Sequence, residues 1–448
     1  MSFDGNVTIN IFSSAQAVPQ TEFGRIGILS SDVGVGFTER YRLYQSAKEL
    51  SDDTDVNSAL RLWCAQMFGQ SVNSGQLAVL RADPSEAMVE KWTIGGVIAN
   101  LDTFTIIVNG ISVTDTATVP ADDAAAVALS LRALLTAALA AEDVTVSGAG
   151  VEVIVTADHA GEEFTHSCSK VSVAGTITAS ATTPNVTLAD SLSAIKAEND
   201  TWYGLVTDSR DAWELIAIAA WVANDASKCC ALQSNDADIL TAGVGNVLAT
   251  LKATNNPRVF FTYYSDDSDP VDLCWLSYKL AKDPDDGTTM WSGATLVGPA
   301  FDTLTSTQQT NVESQYGNAY LSEGGIGATG PGKLVDGRWI DTIVTKDWFR
   351  ARVREAATQL RLNMSSRNLK IPFDNTGIAM FESCLRKYIA LGEQVGHFEK
   401  GTAVVQSPDI ADISDADRLL RKLTIPSNVT LLGGIEKVVY NLAVLDVT

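Results

Sequence analysis

The chain has 448 residues, of which 46% are hydrophobic, so it is long enough for two to four domains with well-buried cores. Its formal net charge of −22 argues against a nucleic-acid-binding protein, because phosphate recognition needs basic surface. The six cysteines are scattered without a Cys-x-x-Cys pair, which is typical of a reducing compartment. The two most apolar stretches are too short or too rich in alanine and polar residues to span a bilayer, so we expect no membrane segment.

The N-terminal residues predict a short strand on a polar tether. Val7, Ile9 and Ile11 alternate with more polar neighbours in residues 6–12, and residues 13–23 contain turn-forming residues. No neighbouring element in the sequence is an obvious partner for this strand. It can pair at the edge of its own domain or in another subunit, and both possibilities remain open.

A change of composition marks residues 92–188 as a separate small α+β module, rich in Thr, Ala, Val and Gly. Within it, Asn109-Gly110 lies between two alternating apolar runs and predicts a two-residue hairpin, because both turn positions need a positive φ. The other elements predicted there are a helix at 122–141 and strands at 144–146 and 151–155. The module lacks charged clefts, which indicates decoration and not chemistry.

Strands and helices alternate after this module, which predicts an α/β layer with parallel pairing. The strand at 26–30 and the helix at 57–68 are expected to belong to the same layer, so that the module interrupts one composite domain. The remaining predicted elements are strands at 202–206, 229–232 and 258–263 and helices at 212–222, 237–251 and 271–280.

The predicted fold class is therefore α/β with mixed α+β character: a composite α/β core, extended N- and C-terminal β arms and the inserted module. The predicted boundaries are 1–25 for the N-terminal arm, 26–91 for the first core part, 92–188 for the module, 189–345 for the second core part, 346–434 for a helical C-terminal part and 435–448 for the C-terminal arm strand.

A glycine-rich segment between Gly324 and Lys333 has the spacing of a phosphate-binding loop. However, Leu334 replaces the hydroxyl residue that would hold magnesium, and Pro331 removes an amide donor. The segment also does not open a helix whose N-terminus could face a phosphate. We expect a flexible glycine loop and keep a nucleotide-dependent enzyme as the alternative.

The chain has three histidines, which limits acid–base and metal chemistry. His159, His166 and Cys168 lie near acidic residues and could ligate a divalent ion, but their spacing matches no known arrangement, so solvated strand ends are expected. No nucleophile is placed beside a histidine base in a recognisable motif. We predict no catalytic residue, no cofactor, no metal and no enzymatic activity.

The basic segment from 346 to 370 is exceptional, because it has a local charge of +5 in a chain of −22. At about 100° per residue, Arg350, Arg354 and Arg361 fall on one stripe of a helix, beside an apolar face. That apolar face comprises Phe349, Val353, Ala356 and Leu360. The arginines can face a partner or pair with carboxylates of the chain itself, and both possibilities remain open.

The chain closes with an alternating β-prone stretch that predicts a last strand with no following element to pair with. Its apolar residues are Val429, Leu431, Ile435, Val439, Tyr440, Leu442, Val444 and Val447.

Three short motifs follow one another in the C-terminal third. The first motif is Gly337-Arg-Trp-Ile-Asp341, which is followed by Asp347-Trp-Phe349. The second is Lys370-Ile-Pro-Phe-Asp374, which leads to Gly377-Ile378. The third is an acidic-arginine helix at 414–421, which leads to the glycine pair before Ile435. In this order they resemble the tail sheath proteins of contractile-tailed bacteriophages, relatives of the sheaths of R-type pyocins and type VI secretion systems. Glu436 departs from the family pattern directly after the glycine pair, where a histidine or other residue is expected.

The resemblance implies a non-catalytic subunit that polymerises helically around a tail tube and contracts to drive the tube through the host envelope. It implies that arms are exchanged between neighbours, with Val7, Ile9, Ile11, Leu442, Val444 and Val447 in the inter-subunit strands. It also implies that Lys346, Arg350, Arg354 and Arg361 contact the tube.

The expected partners are other copies of the chain, the tail tube protein, and the baseplate and tail terminator proteins, without nucleic acid or membrane insertion. The expected location is a virion tail assembled in the host bacterial cytoplasm. A non-contractile baseplate or decoration protein remains the structural alternative.

Overall fold

The structure is a computed structural model that describes residues 18–32, 37–54, 58–118, 122–241, 243 and 245–436. The chain divides into two compact units. Residues 24–281 and 291–340 belong to the larger unit, and the described residues 18–23, 282–290 and 341–436 belong to the smaller one. Both units contain helices and strands, so the mixed α/β class predicted from the sequence is confirmed.

The larger unit begins with the first part of its central sheet. The elements are strand β1 (Ile26–Ser30), strand β2 (Tyr41–Tyr44), helix α1 (Ala47–Asp53), helix α2 (Ala59–Phe68) and strand β3 (Leu77–Arg81).

An insertion follows β3 and folds as an α+β module. Its elements are β4 (Val89–Gly96), β5 (Thr103–Val108), β6 (Ile111–Thr116), α3 (Ala124–Ala138), β7 (Val144–Ser147), β8 (Glu152–Ala157), β9 (His166–Val171) and β10 (Gly175–Thr183). Two antiparallel sheets, in the orders β10-β4-β8-β7 and β6-β5-β9, enclose one apolar core with α3. A bridge between Glu86 and Val186 joins the two ends of the insertion.

The hairpin predicted at Asn109-Gly110 is confirmed. Strands β5 and β6 pair antiparallel on either side of these two residues. Asn109 and Gly110 have φ angles of 51° and 79°, which is the left-handed region that this tight turn requires. The Asn109 side-chain amide also donates to Glu142 at 2.9 Å, which ties the turn to the loop that follows the helix of the module.

The central sheet is completed after the insertion. The elements are α4 (Leu188–Glu198), β11 (Gly204–Thr207), α5 (Ala212–Asp225), β12 (Cys229–Ser234), α6 (Val247–Ala253), β13 (Val259–Tyr263), α7 (Val271–Leu280), α8 (Ser306–Ser314), β14 (Asn318–Glu323) and β15 (Ile326–Gly330).

The sheet has the order β15-β14-β13-β12-β11-β1-β3-β2 and is parallel except at its two edge strands, β15 and β2. Its inner strands are buried on both faces. In β13, Phe260 packs against Trp275 of α7 at 5.2 Å between ring centroids, whereas Phe261 joins the core formed with α5 and α6. Helices on both faces explain why these strands are continuous apolar runs in the sequence.

The helix predicted at 237–251 is wrong as one continuous element. A short 3-10 turn at Ala237–Thr241 ends before α6 begins at Val247. Gly245 has a φ of 98°, and the Asn246 side chain accepts a hydrogen bond from the Ala249 amide at 2.8 Å, so it caps a new helix. Asn246 is buried, and its cap position, not the apolar periodicity, decides where α6 begins.

The flexible glycine loop expected between Gly324 and Lys333 is also wrong. Gly324 and Gly325 form the turn of a hairpin, with φ of 59° and 91°, and β15 pairs antiparallel with β14. Gly327 lies on the Tyr320 ring, where a Cβ would come within 2.3 Å of the hydroxyl oxygen. These glycines allow close packing of a strand and do not form a mobile loop.

The amide groups that a phosphate-binding loop would offer are used inside the protein. The backbone N–H groups of Gly332 and Lys333 both donate to the Asn318 side-chain oxygen at 2.8 Å. The next helix begins only at Ile340. Two amides of the segment are therefore already used within the protein, and the segment does not open a helix whose N-terminus could bind phosphate.

The smaller unit contains the longest helix of the described residues. Its elements are α9 (Ile340–Ser366), whose first residue belongs to the larger unit, α10 (Asn375–Val395), β16 (Val404–Val405), α11 (Asp415–Leu419) and β17 (Ser427–Asn428). No helix of the described residues is long and apolar enough to span a membrane.

Candidate partner interface on the long helix

Helix α9 is 27 residues long and carries the basic segment. It ends in a tight reversal at Asn368, which has a φ of 58°. The amides of Asn368 and Leu369 donate back to the carbonyl groups of Ser365 and Met364, both at 2.9 Å. This left-handed cap satisfies the last carbonyl groups and fixes the direction in which the chain leaves the helix.

Four basic residues form the basic stripe: Lys346, Arg350, Arg354 and Arg361. All four are exposed. None of them makes an ion pair with a carboxylate in the part of the chain that the structure describes. The stripe therefore presents unpaired positive charge at the surface, and its contact with a tube stays a prediction.

Arg352 belongs to the same basic segment but is only 2% exposed. Its Nε–H donates to Asp285 at 2.9 Å, and the same carboxylate oxygen accepts a hydrogen bond from Trp348 Nε1–H at 2.7 Å. Burial raises the pKa of Asp285, but the hydrogen bonds from Arg352 and Trp348 outweigh it and hold the pKa below its usual value. Asp285 is thus a shared anionic acceptor for two buried donors of α9.

His397 completes the buried side of this helix. Its ring stacks on Trp348 at 4.3 Å, lies 2.9 Å from the Thr345 hydroxyl through Nδ1, and lies 2.7 Å from the Pro284 carbonyl through Nε2. Burial lowers the pKa of His397, so the neutral ring is favoured, with Nε2–H donating to the carbonyl. The packing therefore positions α9 through a neutral histidine and not through a charged one.

The N-terminal tether is attached to α9 from Val18 onward. Glu355 accepts hydrogen bonds from the Thr21 amide at 2.7 Å and from its hydroxyl at 2.9 Å. Gln359 accepts from the Val18 amide at 2.6 Å, and Phe23 is buried nearby, 5.7 Å from the Arg352 guanidinium. Counted at 100° per residue, this attachment lies about 160° around the helix from the basic stripe.

The predicted arm residues Val7, Ile9, Ile11, Leu442, Val444 and Val447 lie outside the described residues. The prediction of a strand starting at Val429 is wrong for the described part of that stretch. Ser427–Asn428 pairs with β16, and Leu431 makes one bridge to Phe398. The glycine pair at 433–434 follows at once, and glycine weakens a strand because it has no side chain to pack.

The histidines of the insertion do not gather into a metal site. The ring of His159 packs against Trp213 at 5.3 Å, and His166 packs against Trp92 at 5.9 Å. Among the residues with a described placement, no group of three or more His, Cys, Asp or Glu side chains is arranged to hold a metal ion.

Comparisons with known proteins match this chain by fold and not by sequence. No protein-family model matches it, and no curated protein sequence does. The helical sheath of the anti-feeding prophage (AFP) in its contracted state has a TM-score of 0.53 at 12% identity, with 99% of both chains covered. The sheath complex of the extracellular contractile injection system PVC, also contracted, has a TM-score of 0.53 at 8% identity, with 99% of this chain and 98% of that chain covered.

A chain of the AFP baseplate in its contracted state gives a TM-score of 0.50 at 12% identity, again over 99% of this chain and 98% of that chain. The protein therefore has the fold of the sheath proteins of contractile injection systems. Its structural neighbours are structural sheath proteins and not enzymes.

Proposed function

We propose that this chain is the subunit of a contractile phage tail sheath, which polymerises helically around the tail tube and contracts to drive the tube through the host envelope. The observation that carries the proposal is the fold match to two contracted sheaths over 99% of the chain. The unpaired basic stripe on α9 supports it, because a sheath needs a surface that can hold a tube and later release it.

Assembly is proposed to use strand exchange, with the N- and C-terminal arms completing a sheet in neighbouring subunits. A donated strand forms about four to six backbone hydrogen bonds at roughly 0.5–1.5 kcal/mol each, so one link contributes several kcal/mol. Such a contact is heterologous, and a heterologous contact that does not close produces a helical tube. The attachment of Val18 and Thr21 to α9 supports this proposal, since it gives the N-terminal arm a defined starting point.

The proposed partners besides other copies of the chain are the tail tube protein and the baseplate and terminator proteins at the two ends of the tail. Exposed ion pairs contribute only about 0.2–1 kcal/mol each, so a stripe of four cations suits a contact that contraction must break. The proposed location is the virion tail, after assembly in the bacterial cytoplasm.

A second candidate is the same subunit role in an extracellular contractile injection system. The fold match with PVC favours it, because PVC is described as an extracellular contractile injection system. Electron micrographs of the native particle separate the two candidates, since a phage tail joins a capsid and an injection particle does not.

Replacing the apolar arm residues Val7, Ile9 and Ile11 by serine is expected to abolish polymerisation while the monomer stays folded. The reason is that these side chains would be buried in a neighbour's sheet. Negative-stain electron microscopy and analytical ultracentrifugation measure the result. The matched control is serine at Thr8 and Asn10, the alternate positions of the same segment, which should still assemble. Normal tubes from the triple variant would contradict strand exchange by this arm.

Reversing Arg350, Arg354 and Arg361 to glutamate is expected to weaken attachment to tail tubes at least tenfold and to spare self-assembly. Three attractive charges become repulsive, and the effect should shrink as salt rises because exposed charges are screened. Co-sedimentation with purified tubes measures it.

The control variant replaces three exposed lysines outside the basic stripe, Lys48, Lys282 and Lys400, by glutamate, and so changes the net charge by the same amount. This control should attach normally. Equal attachment of both triple variants would show that another surface contacts the tube.

A further inference from the structure

An open groove lies at the carboxyl-terminal end of α9. Its walls are the last turns of α9, the reversal at 369–374, the start of α10 and the segment around Ile410 and 418–423, and its volume is about 1190 Å³. Three of its apolar side chains are exposed to water: Leu362 by 51%, Leu369 by 55% and Phe373 by 37%. Exposed apolar side chains gathered in a concave surface are typical of a binding site for another molecule.

The groove has a fixed shape. Asp374 caps α10 by accepting a hydrogen bond from the Gly377 amide at 3.0 Å. At Gly377 a Cβ would lie 1.9 Å from the Pro372 carbonyl oxygen, so only glycine fits this close turn. Asn375 holds the opposite wall, donating to Asp409 at 2.9 Å and accepting from the Ile410 amide at 2.8 Å.

Positive charge surrounds the apolar floor. Arg361, Lys370, Arg418 and Arg421 line the groove, and none of them makes an ion pair within the described part of the chain. Asp374 is the one carboxylate among the described lining residues, and the helix cap already uses it. Four cations without a carboxylate partner around apolar side chains are unusual in a chain with a net charge of −22.

We propose that this groove binds an acidic segment of the tail tube protein that inserts an aliphatic or aromatic side chain between its carboxylates. The proposal rests on the proposed function, in which the basic stripe faces the tube, and the groove is continuous with that stripe through Arg361. The groove is larger than the 300–1,000 Å³ or so that is usual for small ligands, which favours a peptide segment. The apolar floor supplies the anchor and the arginines supply charge-assisted hydrogen bonds to carboxylates.

The phosphates of a nucleic acid could also bind the four basic side chains, but a nucleic acid is less suited to the apolar side chains of the groove. Single-stranded nucleic acids bind to grooves that combine basic residues with exposed aromatic rings for base stacking. Here the exposed apolar side chains include two leucines and one phenylalanine, and the whole-chain charge opposes a polyanion. A nucleic acid is therefore an outcome that the test must separate from the peptide.

Fluorescence anisotropy with the full-length protein tests the proposal. The probes are a labelled twelve-residue peptide of aspartate and glutamate with two central phenylalanines, the same peptide with two central serines, and a twelve-nucleotide oligothymidine. We expect the phenylalanine peptide to bind at least tenfold more tightly than the serine peptide.

The double variant Leu369→Ser/Phe373→Ser should lose this preference, and Arg418→Glu/Arg421→Glu should weaken binding at least tenfold. Lys282→Glu/Lys400→Glu changes the net charge by the same amount as Arg418→Glu/Arg421→Glu, lies outside both the groove and the basic stripe, and should change binding by less than about threefold.

Equal binding of the two peptides would overturn the proposal, because it would show that charge alone acts. Equally tight binding of the oligothymidine would also overturn it. Circular dichroism confirms folding, and Leu369→Gln/Phe373→Gln repeats the measurement if the serine variant is unfolded.

Co-sedimentation of Leu369→Ser/Phe373→Ser with tail tubes then separates the groove from the proposed function. Reduced attachment with normal self-assembly is expected. If the peptide preference holds while neither the groove variant nor the stripe reversal affects attachment, the assignment of the groove to the tube is overturned.

Discussion

Replacing Asp285 by alanine is expected to lower the free energy of unfolding of the smaller unit by about 3–5 kcal/mol, which is a factor of roughly 150 to 5,000 in its folding equilibrium constant. Asp285 accepts hydrogen bonds from both Arg352 and Trp348. Arg352 keeps Glu355 as a second partner at 3.0 Å, but its Nε–H would lose its acceptor in a buried site. A buried guanidinium N–H without an acceptor is costly, because water cannot replace the lost acceptor.

Hydrogen exchange of the α9 amides, together with denaturant unfolding, measures this loss. Asp285→Asn keeps an acceptor without the charge and should lose about 1–2 kcal/mol. The neighbouring Asp286 is exposed, so Asp286→Ala is the matched control and should stay within about 0.5 kcal/mol of the wild type. Equal stability of Asp285→Ala and Asp286→Ala would mean that Asp285 does not hold the helix.

Replacing Asp208 by asparagine is expected to stabilise the larger unit above pH 6 by about 3 kcal/mol. Burial raises the pKa of Asp208 from 3.8 to about 6, and the charge of Asp32 contributes in the same direction, although the Ser30 hydroxyl and Arg210 partly oppose this rise. The folded state therefore binds the proton more tightly than the unfolded state does. A tenfold difference in proton affinity corresponds to about 1.36 kcal/mol, so the wild type loses about 3 kcal/mol as the pH rises from about 4 to above 6.

The pH dependence is the decisive measurement for Asp208. At pH 4 the carboxyl group is largely protonated when folded, so Asp208→Asn and the wild type should unfold at nearly the same denaturant concentration. Above pH 6 the curves should separate. Glu163→Gln, which removes an exposed carboxylate, is the variant measured alongside for comparison. A constant difference at every pH would indicate a packing effect and not a penalty for the buried charge.

The sequence allowed a good part of the larger unit to be predicted. The Asn109-Gly110 turn was readable because two consecutive residues that tolerate positive φ lie between alternating runs. The strands and helices of the central sheet were readable because apolar runs of strand length alternate with helical periodicity. The sequence did not predict that the helical segment is interrupted before α6, nor that the glycine segment forms a strand. The first depends on the cap by Asn246, and the second on the Tyr320 ring of the neighbouring strand.

The candidate interface was predicted only in part. The helical periodicity places Arg350, Arg354 and Arg361 on one side of α9, and the structure leaves them exposed. No pattern in the sequence indicates that Arg352 is buried whereas these three arginines are exposed. That distinction comes from Asp285, which lies 67 positions away in the chain. The groove was missed for the same reason, because its walls include residues near 362, 373 and 418 that no local pattern connects.

The sequence by itself determined the class of the fold, the separation of a basic helix from an acidic chain, and the positions of the strongest turns. These properties follow from composition and from periodicity over a few residues. Only the tertiary structure decided which arginine is buried, where the N-terminal tether is attached and which apolar side chains line an open groove. Each of these depends on contacts between residues that are far apart in the sequence, and local propensity carries no information about such contacts.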